Sequence, residues 1–565
     1  MQGKVNDRLR PEAILLAQLL FGYGLACLCF LGGLPLGGWQ FWVTLGAGLG
    51  LAAFVSRRAF RRVLALEALM FVLTAFTFTY HHCDAAICHL PMSQFFEEGW
   101  NPVRDCSLET VLSYYRAHGI TPAENPQLDF HALHVLVDPK FTQVLAAQMQ
   151  AACRLFTAAA YPLWLTTFAV ALLAFRTARE VLSAPRWAAV AFAALLCCNT
   201  ELTVGSLQGQ MDLVTYNAIA VSALSLVLWE RTKAPAELLT FFAGLVIVLV
   251  SKFTGILCTV FLLAVAAWLG RRDRAMRRSF LLFAASLALF GILPYWTSSY
   301  WFGSPLYPAH TFRAGVALPD ITNDFVGLNE EARQMGYFGR MVYAWVSPEL
   351  ALWGCRHWYG NPDFNPLWKW DWLTGGSPWY QCLYLWTGVA LSFCSRRNAV
   401  TLVAWAVFLS FFLLPAKYIG YPRYVAQVHL AVVFAWFNFA AERPETLRQW
   451  LWLAAAALAA WLVRTACRDW LRQLRTEAVL QHNARLMRRA NLEYSFSSAD
   501  DATWTWAYAV RERLARDGVR VSVDGPGERL RTDWNMILVS RGLRRAWQGG
   551  FYWPCNVSRP LPLWK

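Results

Sequence analysis

Residues 84–102 read DAAICHLPMSQFFEEGWNP, and they follow an apolar segment, Val63 to Tyr80, long enough to cross a bilayer. The stretch puts Asp84, His89, Glu97 and Glu98 where a hydrophobic span meets water. Ionisable side chains at such a mouth touch both water and lipid headgroups, which makes this a candidate site of chemistry. A carboxylate in that place can cap a helix, accept a proton from an attacking hydroxyl, or hold a substrate amine or sugar hydroxyl.

The rest of the chain fits the same setting. Of 565 residues, 57% are hydrophobic, 15% aromatic and only 15% charged, and the mean hydropathy is +0.33. This composition predicts an all-α polytopic membrane protein. Apolar segments recur near 13–33, 39–55, 63–80, 155–175, 187–203, 212–229, 235–251, 253–269, 280–297, 379–395, 398–415, 424–440 and 449–464. They amount to about thirteen spans. Several are short, so one pair could be re-entrant. The first lacks an obvious small-residue cleavage site and reads as an uncleaved anchor.

The net charge of +15 would suggest nucleic acid in a soluble chain. Here many of the arginines sit in short clusters between apolar segments and act as topology signals, which excludes nucleic acid as a partner. With Lys4, Arg8 and Arg10 in the cytoplasm, alternation puts Arg57/Arg58/Arg61/Arg62, Arg176/Arg179/Arg186, Arg231/Lys233, the 271–278 cluster, Arg396/Arg397 and Arg443/Arg448 on the same side. The segments 81–154, 298–378 and everything after 464 then lie outside. The expected organisation is a two-span extension over 1–62, a transmembrane domain over 63–464 and an external soluble domain over 465–565.

His81, His82, Cys83, Asp84, Cys88 and His89 crowd the first external segment, but their spacing matches no standard zinc pattern. A local Cys83–Cys88 disulfide, or free thiols beside packed histidines, is the simpler reading. Cys27, Cys29, Cys197, Cys198, Cys258 and Cys394 fall in or beside spans and read as small buried hydrophobes. Cys83, Cys88, Cys106, Cys355, Cys467 and Cys555 are placed outside, where oxidation can occur.

Asp84, then His89-Leu90-Pro91, then Glu98-Gly99-Trp100-Asn101-Pro102 resembles the first-loop signature of the GT-C integral-membrane glycosyltransferases, especially bacterial relatives of protein O-mannosyltransferases and aminoarabinose transferases. Further pieces follow in the family's order. Asp138-Pro139-Lys140 resembles the basic stretch closing that loop, and Asp212 opens the sixth span. Lys252-Phe253-Thr254-Gly255 resembles a KxTG element, Gly303-Ser304-Pro305-Leu306-Tyr307-Pro308 resembles a GNPLYP loop, and Arg423-Tyr424 resembles a late arginine–tyrosine pair. The resemblance covers roughly residues 63 to 440. Cys88 departs from it, standing where the family commonly has an aromatic, and two extra spans precede the motif-bearing loop.

The resemblance implies transfer of a sugar from a polyprenyl-phosphate carrier to a glycan, lipid or protein acceptor on the outer face, usually with inversion at the anomeric carbon. A bacterial inner membrane with its site facing the periplasm is the implied location. Such chemistry needs a base, positive charge on the phosphate leaving group, and an apolar groove for the carrier tail. Asp84 is the candidate base and Asp212 a second carboxylate, with a helix cap as its ordinary alternative. Lys140 and Arg423 are candidate phosphate contacts, Arg423 the better because a guanidinium binds phosphate oxygens bidentately. Lys252 can reach the same phosphate or snorkel from a span end, and Tyr424 accompanies Arg423. His89 can hydrogen-bond sugar or phosphate, and Glu98 can orient an acceptor or a metal ion. The pattern requires no cofactor, a divalent metal ion being the one candidate.

Trp296, Trp301, Tyr307, Trp345, Trp353, Trp358, Trp368, Trp370, Trp372 and Trp379 lie in or beside the second external segment. They read as an interfacial belt, with a platform for sugar faces as the second use. The tail carries Arg-rich helical stretches near 465–490 and 503–516. The alternating Val519, Val521 and Val523 and the run Met536 to Val539 complete a small mixed α/β module. Asn556-Val557-Ser558 matches a glycosylation acceptor pattern of low weight in a bacterial protein. Two rival classes are open: a transporter or flippase of lipid-linked glycans, and a non-catalytic envelope assembly protein. The first would need ionisable residues deep within several spans, where only Glu67 and Glu201 stand out.

Overall fold

The computed structural model describes residues 9–75, 89–118, 128–137, 139–154, 160–198, 211–305, 378–413, 427–490, 493–496, 514–515, 518–523, 528–532 and 538–539. The described chain is mostly helical. Its helices are α1 (Pro11–Gly32), α2 (Gly38–Val55), α3 (Arg57–Ala75), α4 (Leu90–Glu97), α5 (Leu108–Ala117), α6 (Leu128–Val137), α7 (Phe141–Cys153), α8 (Tyr161–Glu180) and α9 (Arg186–Cys197). They continue as α10 (Met211–Thr232), α11 (Pro235–Ser251), α12 (Ile256–Leu269), α13 (Arg274–Phe290), α14 (Thr297–Phe302), α15 (Pro378–Phe393), α16 (Ala399–Phe412), α17 (Gln427–Ala441) and α18 (Glu445–Ala490).

The described part of each expected apolar segment falls on a helix. Among the described residues, five helices are long and apolar enough to cross a membrane by length and composition: α1, α2, α8, most of α10 and the first half of α18. A sixth is added if α13 and the helical stretch Ile292–Phe302 after it, bent by 59° at the break between them, form one broken span. Helices α9, α11, α16 and α17 have 12 to 17 residues. At 1.5 Å per residue they reach about 18–26 Å, short of a ~30 Å hydrocarbon core. Helix α3 opens with Arg57, Arg58, Arg61 and Arg62, which lowers its hydropathy.

Helix α10 is the centre of the bundle: 94% of its apolar window is buried, against 22% for the window of α18 at the periphery. It packs against α8, α11, α12 and α16. Small polar side chains tie it in, with the Asn217 amide donating to Thr166 and Thr167 of α8 at 3.1 and 2.9 Å. Such bonds between spans contribute about 0.6–1.7 kcal/mol each. Helix α1 lies against α2, α3, α7, α8, α11 and α13.

The ends of the helices share two faces. At one face Arg176, near the end of α8, pairs with Glu12 at the start of α1 and Glu237 at the start of α11. Glu442, just past α17, accepts from the backbone N–H of Arg396, just past α15, at 3.0 Å. This is the end carrying the basic clusters, and the pairing requires α1 and α11 to run away from it and α8 to run towards it. Buried Glu12 and Glu237 add two acidic residues to those legible in the spans.

At the opposite, loop-bearing end, α1 stops at Gly33, whose φ of 73° is the left-handed conformation that glycine adopts without penalty. A Cβ there would also collide with the Arg104 guanidinium, which lies over the helix end and complements its dipole. Inside the bundle, Gly48 of α2 lets Gln18 of α1 reach Glu67 of α3 at 2.9 Å and Tyr161 of α8 at 3.1 Å, since a Cβ at 48 would overlap the Gln18 amide.

Within the segment 81–154, residues 141–150 of α7 are all buried, and α7 packs against α1, α2, α8 and α11. The boundary expected at 464 falls inside α18, an unbroken helix of 46 residues, about 69 Å long at 1.5 Å per residue. Beyond it are β1 (Tyr494–Phe496), β2 (Val521–Val523), β3 (Glu528–Thr532) and β4 (Leu538–Val539), in the order β2-β1-β3-β4. Strand β1 is parallel to both β2 and β3, and β4 is antiparallel to β3.

Candidate functional site

Helix α9 ends at Cys197, and its last carbonyls have no partner within the helix. Two of them are capped from other helices. Tyr216 of α10 donates its hydroxyl to the Leu196 carbonyl at 3.1 Å, and His429 of α17 places Nε2 2.7 Å from the Leu195 carbonyl. The other ring nitrogen of His429 is 2.7 Å from the Tyr384 hydroxyl of α15. The starts of α10 and α17 therefore meet at the loop end of α9.

The break between α11 and α12 joins this meeting point. Lys252 is extended, with φ −160° and ψ 136°, and a single 3₁₀ turn over Phe253–Gly255 leads into α12. A Cβ on Gly255 would stand 3.4 Å from Thr215, so the turn lies directly on the first turns of α10. The Tyr295 hydroxyl fixes the same end of α11 by donating to the Leu249 carbonyl at 2.8 Å, and its ring packs edge-on against Phe253. Asp212 is the second residue of α10, four positions before Tyr216. The structure thus brings the helix start bearing Asp212 and the Lys252 turn to one place.

The second group of candidates lies in the α4–α7 unit. His89 immediately precedes α4, and its Nδ1 is 3.1 Å from the Gln143 amide in the first turn of α7. Lys140, at the start of α7, is buried. It donates to the Leu136 carbonyl at 2.7 Å, capping α6, and lies 5.8 Å from the Trp100 ring centre. His89 and Lys140 consequently border one seam. Glu98 follows the other end of α4, about 13 Å of helix rise from His89. Glu98 instead pairs with His118 at 2.6 Å.

The Glu98–Pro102 motif owes much of its pattern to packing. Trp100 is buried, stacks on Phe96 at 5.0 Å and donates its indole N–H to the Asp105 carbonyl. Asn101 donates to the Phe30 carbonyl at 2.8 Å and so caps the end of α1. Cys106, placed outside as an oxidisable thiol, is buried and free, its thiol directed at the Leu136 carbonyl; burial pushes it up to about 11. Cys467 is free and exposed.

Asp84, Arg423 and Tyr424 lie outside the described residues, as do His81, His82, Cys83, Cys88, Asp138, Glu201, the tryptophans between 306 and 377, and Asn556-Val557-Ser558. Among the described residues there is no group of three or more His, Cys, Asp or Glu that could hold a metal ion. Tyr216, Tyr384, His429 and Gln143 were not singled out by motif. A polar or ionisable residue isolated in an apolar run, as His429 is in QVHLAVVFAWF, is the signal that would have found them.

No family model matches the chain, and no curated protein matches it. Among solved structures it is similar to ArnT from Cupriavidus metallidurans bound to undecaprenyl phosphate, at 13% sequence identity, covering 81% of this chain and 89% of that one with a TM-score of 0.40. A likeness at that score carries no argument about chemistry.

Proposed function

We propose that this chain is a multi-pass glycosyltransferase of the GT-C type, moving a sugar from a polyprenyl-phosphate carrier to a glycan, lipid or protein acceptor. The reaction takes place at the end of the bundle opposite the basic clusters, the periplasmic face of a bacterial inner membrane. The observation that most supports this is the meeting of the α10 start, the Lys252 turn and the α17 start at the end of α9. The elements carrying two of the motif residues, Asp212 and Lys252, then border a common region, which supports one active site.

In this reading Asp84 removes the proton from the acceptor hydroxyl as its oxygen attacks the anomeric carbon, and Asp212 orients the acceptor. The bond from that carbon to the phosphate oxygen breaks, and the phosphate leaves with its added charge met by Arg423, supported by Tyr424, Lys252 and Lys140. His89 binds the sugar or phosphate from the α4–α7 seam, while Glu98, already paired with His118, shapes the acceptor side. Helix α18 carries the C-terminal α/β module away from the membrane on the same face.

The test presents the purified full-length protein with radiolabelled undecaprenyl-phosphate sugars and envelope extract. The expectation is that label leaves the polyprenyl fraction and free undecaprenyl phosphate accumulates. Unchanged donor with every sugar would contradict the proposal. Movement of intact donor between vesicle leaflets would support the transporter reading instead.

A further inference from the structure

We propose that Cys198 and Cys467 form a redox-responsive disulfide that fastens the peripheral helix α18 to the end of α9, an inference that rests on the reading of this end of the bundle as outward-facing. By sequence Cys198 belongs with the apolar spans and Cys467 with the tail, but packing brings them together. Helix α18 lies along α9, and Trp187 in the first turn of α9 meets Trp452 of α18 edge-on, with ring centres 6.5 Å apart. At 3.6 residues per turn, Cys198 stands about three turns beyond Trp187 and within about 20° of its face. Cys467 stands about four turns beyond Trp452 and within about 60° of its face, at the edge of the buried stripe of Trp452, Ala455, Ala459 and Leu462. Both helices start among basic residues, Arg186 and Arg448, so both cysteines lie towards the loop-bearing end. The two thiols are within electrostatic reach of each other.

Both thiols are free, with Cys467 exposed and Cys198 half-buried. Cys198 follows the last regular turn of α9, and Cys467 is on the exposed side of α18. Neither has to leave a packed core to reach the Cα separation of about 4.4–6.8 Å that a disulfide takes. Cys197 is not the partner, because its thiol is directed at the Thr167 carbonyl of α8, 3.8 Å away. The oxidant is a disulfide donor of the outer compartment, oxidised glutathione or a protein disulfide. Cys467, the accessible thiol, attacks that donor, its sulfur joins one donor sulfur, and the other leaves as a thiol with the proton. Cys198 then attacks the Cys467 sulfur, closes the bridge and releases the second donor thiol. The two cysteines lose two electrons and two protons, and the donor disulfide gains both. Only 22% of the apolar window of α18 is buried, so packing alone holds this helix weakly. The bridge adds a covalent link beside Leu195 and Leu196, whose carbonyls meet His429 and Tyr216.

The test treats the purified full-length protein in detergent with oxidised glutathione, blocks the remaining thiols with N-ethylmaleimide, digests the chain without reductant and looks for linked peptides by mass spectrometry. A Cys198–Cys467 link is expected in the wild type and in Cys197→Ser, and it should vanish in Cys467→Ser and after dithiothreitol. The oxidised wild type should also unfold at a higher temperature than the reduced one, a shift that Cys467→Ser abolishes. Recovery of Cys198 and Cys467 both carrying N-ethylmaleimide after oxidation, or a link that persists in Cys198→Ser through Cys197, overturns the inference. Whole cells quenched with N-ethylmaleimide before lysis should show the same link. A link confined to the purified protein would put this end of the bundle on the reducing side and overturn the inference through its topology. Absence of the link in both settings sinks the disulfide alone, since sugar transfer is read separately from the loss of labelled donor.

Discussion

The guanidinium of Arg176 is held between the carboxylates of Glu12 and Glu237, which come from the first turns of two other helices, α1 and α11. All three side chains are largely withdrawn from water, and the cluster also holds Glu180, 3.3 Å from Arg176 on the same helix, and Arg10, 3.4 Å from Glu180 and 3.9 Å from Glu237. Removing Arg176 takes the paired cation from buried Glu12 and leaves Glu237 with Arg10 at 3.9 Å. Arg176→Ala should therefore destabilise the protein by about 3–5 kcal/mol, read as a lowered thermal midpoint in detergent. An unchanged midpoint would show that water enters this end of the bundle.

A second prediction concerns pH. Partial burial acts to raise the pKa of Asp105, but hydrogen bonds from Thr110 and Ser107 outweigh it and hold the carboxyl below its ordinary value. A depressed folded-state pKa contributes stability that is present above the unfolded value, about 3.9, and is lost as pH falls through the folded one. Wild type should exceed Asp105→Asn in stability at neutral pH by under about 1 kcal/mol, because the site is partly exposed. The gap should close below about pH 4. A gap that persists into acid would assign the effect to packing of the Ser107–Thr110 turn.

Much of this arrangement could be read from the sequence, and what could not shares one cause. The apolar segments are local runs, so hydropathy located a helix for each of them. The α18 helix runs through position 464 because no Gly or Pro interrupts 445–490; hydropathy registered a change of solvent there and not the continuity of the backbone. The caps were hidden because their partners are remote. Asn101 meets Phe30 across 71 positions, and His429 meets Leu195 across 234. The same distance effect made Glu98–Pro102 read as chemistry when Trp100 and Asn101 are engaged in packing. It also concealed α7, whose ten consecutive buried residues look like part of an exported loop when only flanking spans are counted.

Topology gives a third prediction. Single cysteines introduced near residues 100 and 520 should react with a membrane-impermeant maleimide from outside, and those near 60 and 275 only after the membrane is opened. Labelling at 100 only from the cytoplasmic side would end the proposed mechanism.

The phosphate contact provides a fourth. Arg423→Lys keeps the charge but loses the planar fork, so transfer should fall about tenfold or more while the protein stays inserted. Full activity in Arg423→Ala would reduce this residue to an interfacial anchor.

The most direct test of the account is turnover by Asp84→Asn at saturating undecaprenyl-phosphate sugar. Asparagine preserves size and much of the hydrogen bonding while removing basicity, so a carboxylate that accepts the acceptor's proton should lose about a hundredfold or more in kcat with donor binding largely kept. Near-normal turnover in that variant would contradict the central claim and direct attention to Asp212 or Glu98.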